Sequence, residues 1–60
     1  EALVMKLQGE IAVATANVDV YLNKSVGIGE HPEVVEAIET QISRIAEAED
    51  KIETIKKHFD

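Results

Sequence analysis

The sequence predicts an all-α fold: an antiparallel two-helix hairpin, with helices over about 2–26 and 32–59, assembling into an oligomeric helical bundle. Three observations predict it. Val26-Gly27-Ile28-Gly29-Glu30-His31-Pro32 gathers all the glycine and proline of the chain except Gly9. On either side of it, apolar residues recur at alternating steps of three and four, the helical period. Finally, 60 residues with no cysteine cannot be stapled, yet 45% of them are apolar. A chain this short buries little of its own surface, so partners are the expected source of stability.

Helix 1 carries two seams. Val4, Leu7, Ile11, Ala14, Val18 and Tyr21 form a heptad stripe of mostly large side chains. On nearly the opposite side run Ala2, Met5, Gly9, Ala12 and Ala16, with Val13 and Val20 beside them. Lys6, Gln8, Glu10, Thr15, Asn17 and Lys24 fill the flanks. Two opposed apolar stripes imply a neighbour on each side. Gly9 in mid-helix costs about 1 kcal/mol relative to alanine, which close packing of a second backbone could offset. The β-branched alternation at Val18-Asp19-Val20-Tyr21-Leu22 offers a strand as the competing reading, but the three-four pattern from Val4 to Tyr21 outlasts a usual strand.

The turn follows from its residue types. Gly27 is placed to close helix 1 in the left-handed conformation that glycine adopts without steric cost. Ile28 then folds back onto the last turn, and Gly29 is a loop residue. Pro32 suits the first position of helix 2, where a missing N–H is no loss. His31 is the expected N-cap. Glu30, Glu33 and Glu36 lie at that helix's positive end, and Lys56, Lys57 and His58 at its negative end.

Helix 2 is amphipathic, with Val35, Ile38, Ile42, Ile45, Ile52 and Phe59 on one face and Val34, Ala48 and Ile55 beside them. Glu49 falls where that seam calls for an apolar residue, so a slight rotation is expected to turn Ala48 inward. Glu47 with Lys51, and Glu53 with Lys57, are i,i+4 pairs in the favourable orientation. The isoleucine stripe is expected to pack on the large seam of helix 1, which assigns Leu7 and Ile42 to the intrachain core. The short connection makes the helices antiparallel. Ala2, Met5, Gly9, Ala12, Val13 and Ala16 are then left for a second copy. A two-fold dimer, a four-helix bundle with both helices 1 at its centre, is the simplest closed arrangement. At 1.5 Å per residue the helices match, at about 35 Å and about 40 Å.

Composition excludes several functions. Twelve acidic against six basic residues give a net charge of -6. That opposes binding to nucleic-acid phosphates or to an anionic membrane surface. No apolar run approaches the roughly 18 residues of a membrane span, and the first residues lack the pattern of a signal peptide. One domain over 1–60 in the cytoplasm is expected, the host cytoplasm if the protein is viral. Gly27-Ile28-Gly29 lacks the further glycine and the lysine of a phosphate loop, and Glu30 would repel phosphate. Ser25 and Ser43 have no histidine close in sequence, and His31 beside Glu30 and Glu33 reads as a cap. No catalytic, cofactor-binding or metal-binding residue is assigned.

Glu33-Val34-Val35-Glu36 and Glu47-Ala48-Glu49-Asp50 resemble the magnesium-binding motif pair of the all-α nucleotide pyrophosphohydrolases related to MazG. The resemblance implies four carboxylates holding magnesium against a triphosphate. In that family the motifs lie on two converging helices. Here Glu36 and Glu47 share one helix, about 16 Å apart along its axis, on the expected solvent face. The stretches Gly29-Glu30-His31-Pro32-Glu33-Val34-Val35-Glu36 and Ile52-Glu53-Thr54-Ile55-Lys56-Lys57-His58-Phe59 resemble small helical-hairpin proteins of marine phage or metagenomic origin, which implies no activity. The overall shape is similar to the plasmid copy-control hairpin dimers that bind RNA, but the basic helix face of those proteins is missing. The leading expectation is a non-enzymatic homo-oligomer, dimer favoured, that works through protein–protein contacts as an adaptor, accessory or assembly factor. The alternatives are an acidic inhibitor of a nucleic-acid-binding partner and a magnesium-dependent pyrophosphohydrolase.

Overall fold

A computed structural model gives the chain as two helices and describes residues 1–23 and 32–59. Helix α1 spans Ala2–Asn23 and α2 spans Pro32–Phe59. The expected turn, from Gly27 through Ile28 and Gly29 to His31, lies outside the described residues, as do positions 24–26 of the expected first helix. Pro32 opens α2 as its type predicts. Glu33 lies in the first turn of α2 and Lys56, Lys57 and His58 in its last, so side-chain charge opposes the helix dipole at both ends.

The two helices pack against each other along their length. The molecule measures 46 × 14 × 10 Å with a radius of gyration of 14.1 Å. A globular chain of this length would have a radius of about 10 Å, so the hairpin is a rod. Its core is correspondingly thin. Among the described residues, Leu7, Ala14 and Ala48 are the buried apolar ones, and Gln41 is buried with them. Val4, Ile11, Val18 and Tyr21 are half-buried, which puts the whole large seam of α1 against α2.

The inward face of α2 differs from the expected one. Val34, Ile38, Gln41, Ile45, Ala48, Ile52 and Ile55 form the seam, at alternating steps of four and three. Val35 is 56% exposed and Ile42 50%, so neither belongs to the intrachain core. The cause is the rotation that turns Ala48 inward and Glu49 outward. A helix turns as a rigid body, so the residues seven and fourteen before Ala48, Gln41 and Val34, turn in with it. Ile42 and Val35, one position further on, are carried out. Phe59 lies on the correct face but is 82% exposed. With Asn17 level with Gln41, an antiparallel partner retreats one residue for each advance, so Glu1 is level with about residue 57. The last turn of α2 therefore overhangs the described part of α1.

Exposed positions carry local bonds. Glu47 and Lys51 approach to 3.8 Å, as their spacing predicts. The other ion pair among the described residues is Lys6 with Glu10, so Glu53 and Lys57 do not meet. Thr40 and Thr54 donate their hydroxyls to the carbonyls of Glu36 and Asp50 four residues back. Among the described residues, no helix is long and apolar enough to cross a membrane.

Candidate functional site

The residues expected to form an oligomer interface share one face of α1. Ala2, Met5, Gly9, Ala12, Val13 and Ala16 are all exposed in the single chain. Helical period alone explains this. Leu7 and Ala14 must point at α2, and at 100° per residue Met5, Gly9, Ala12 and Ala16 then point away. Met5 is 68% exposed and Val13 62%, and Val20, at 49%, continues the face toward the end of the helix. Large apolar side chains therefore stand in water beside small ones.

Gly9 is the informative member of this face. A Cβ built on it meets no atom within 4 Å. Nothing in the single chain calls for glycine there, although glycine weakens a helix interior by about 1 kcal/mol.

One edge of the face leads into a groove between the helices. Gly9, Val13 and Ala14 line it from α1, and Ala48 from α2. Its rims are charged: Lys6 and Glu10 on one side, Arg44, Glu47 and Lys51 on the other. Lys6 Nζ donates to Glu10 Oε2 at 2.7 Å. That hydrogen bond, then the charge of Lys6, holds the Glu10 carboxyl below its ordinary value, and Lys51 across the groove adds to the effect.

A polar contact crosses the seam itself. Asn17 Nδ2 donates to Gln41 Oε1 at 3.1 Å. Asn17 is half-buried and Gln41 is 7% exposed. Sequence reasoning placed Asn17 on a polar flank and left Gln41 out. The signal for Gln41 is its seven-residue step from both Ala48 and Val34.

The carboxylates of the pyrophosphohydrolase-like pattern, Glu33, Glu36, Glu47 and Asp50, are all exposed on α2. Among the described residues no three Asp, Glu or His side chains come together as a metal site would require. Comparison with family models, curated proteins and solved structures gave no match to this chain.

Proposed function

We propose that the chain is a non-enzymatic helical protein that pairs with a second copy through the small-residue face of α1 and acts through protein–protein contacts, as an adaptor, accessory or assembly factor. The observation that carries this reading is the second apolar face of α1, opposite the one that α2 covers. Such a helix, apolar on both sides, is at home between two neighbours. Surface area supports the same reading. The chain exposes 4689 Å² for a mass of 6.6 kDa, against about 3,900 Å² for a monomeric globular protein of that mass. The excess goes with the rod shape, which leaves Met5, Val13 and Val20 on that face uncovered within the chain.

In this arrangement each α1 lies between its own α2 and the α1 of its partner. Small side chains at Gly9, Ala12 and Ala16 allow the two backbones to approach closely. Sedimentation equilibrium at micromolar concentration tests the reading. Twice the chain mass or a higher multiple supports it, and a well-folded monomer overturns it.

The outer face of α2 favours a second reading, an acidic inhibitor that occupies a basic surface of a nucleic-acid-binding partner. Glu36, Glu39, Glu49, Asp50 and Glu53 are all exposed there. Salt-sensitive capture of a basic nucleic-acid-binding protein would support it, and partners held equally well at high salt would count against it.

A further inference from the structure

We infer that the flank of the rod opposite the groove docks an amphipathic helix with basic edges, supplied by another protein. The inference does not rest on pairing through α1, and it departs from the second reading above in giving the contact an apolar centre. Two edges border the seam of α2: Ile42 follows buried Gln41, whereas Arg44 precedes Ile45. On α1, likewise, Leu22 follows Tyr21 and Glu10 precedes Ile11. Antiparallel packing brings like edges together. Glu10 shares the groove with Arg44 and Lys51, so Leu22 shares the other flank with Val35 and Ile42. With Asn17 level with Gln41, Leu22 stands level with residue 36, beside Val35. Leu22, Val35 and Ile42 are 53%, 56% and 50% exposed, an apolar strip that spans both helices. A strip of this kind between two helices suits an amphipathic helix.

Charge decides what covers it. In the groove both acids, Glu10 and Glu47, pair with lysines, and Arg44 adds a further cation. Around the strip stand Asp19, Glu39, Glu49 and Glu53, all exposed and none with an ion-pair partner among the described residues. Asp19 precedes Leu22 by three residues, Glu39 lies one turn from both Val35 and Ile42, and Glu49 follows Ile42 by seven, so each borders the strip. The cation of this flank among the described residues, Lys56, lies about 21 Å beyond Ile42. A second copy fits poorly. Its own strip is equally acidic, and in its groove Lys6 and Lys51 are taken by Glu10 and Glu47. A helix with lysine or arginine beside its apolar stripe matches both the strip and the acids.

The probe is a fluorescently labelled peptide of leucine, alanine and lysine, with leucines along one helical face and lysines on both sides of them. Its anisotropy is titrated with the full chain, and a scrambled peptide of the same composition serves as the control. The amphipathic peptide should bind and the scrambled one should bind far more weakly. Ile42→Glu should weaken binding by roughly tenfold, the loss of one buried isoleucine contact, although it adds negative charge. Val35→Glu is the second variant of the same kind, and both side chains are half-exposed, so circular dichroism should match the parent chain. Glu39→Gln with Glu49→Gln should weaken binding severalfold and flatten its salt dependence. Glu36→Gln with Asp50→Asn removes as much charge away from the strip and should weaken it less. Four results overturn the inference: no binding of the amphipathic peptide, equal binding of the scrambled one, binding unchanged or tightened by Ile42→Glu, or equal losses from the two charge pairs. Sedimentation of Ile42→Glu without peptide should give the mass of the parent chain. A lower mass would make the strip a contact between copies and would overturn it as well, whereas the mass of the parent chain alone decides the pairing through α1.

Discussion

Gln41 and Ile42 are adjacent in sequence and exchange the places their polarity would assign: the amide is 7% exposed and the isoleucine 50%. The rotation of α2 that buries Ala48 produces both results. The exchange sorts the α2 side chains into those that hold the hairpin together and those that do not.

Truncation should reveal that sorting. Leu7→Ala removes a buried side chain, 2% exposed, and should cost roughly 2–5 kcal/mol through the cavity it leaves. Ile42→Ala removes a half-exposed one and should cost about 1 kcal/mol or less. Chemical denaturation of the two variants checks the order. Equal losses would place Ile42 in an interface, within the chain or between copies.

Gly9→Ala separates the single chain from the assembly. In the chain alone the added methyl meets nothing within 4 Å, so helix propensity should raise stability by about 1 kcal/mol. Against a closely packed second α1 the same methyl should bring no gain or a loss. Thermal melts at low and at high protein concentration would show the gain when dilute and its disappearance when concentrated.

The ion pair at the groove rim sets a pH dependence. The Glu10 carboxyl is held below its ordinary value of 4.5, first by the hydrogen bond from Lys6. A carboxyl with a folded pKa below its unfolded one stabilises the fold above the unfolded value. That contribution is lost as pH falls through the lowered folded value. The group is exposed, so the effect on melting should be slight. An NMR titration should instead place the Glu10 midpoint below its ordinary value of 4.5, and Lys6→Gln should return it toward that value.

Much of the fold was legible because separate signals agreed. Pro32, Glu33 and the Lys56-Lys57-His58 end marked one helix, and its bounds are those observed. The large seam from Val4 to Tyr21 was legible for the same reason, since polar residues interrupt it nowhere. The α2 face was misread at a tie. Ile38 to Ile45 can be bridged through Gln41 or through Ile42, and both keep the three-four step. Hydrophobicity chose Ile42, while Ala48, seven residues beyond Gln41, chose the amide. The Asn17–Gln41 contact was out of reach for the same reason, because it exists only in the rotated register. The small-residue face was legible as a pattern at Met5, Gly9, Ala12 and Ala16, and the structure places those residues together on one exposed face.

The central claim, that this face packs against a second copy, is tested most directly by Ala12→Leu, with circular dichroism and light scattering read on the same micromolar sample. A leucine at the middle of the face should force two close backbones apart. Helicity should be largely retained, because Ala12 is exposed within the chain and leucine is a good helix former. The associated mass should change. If both mass and thermal stability instead match the parent chain, the small-residue face points to solvent and the proposed dimer is wrong.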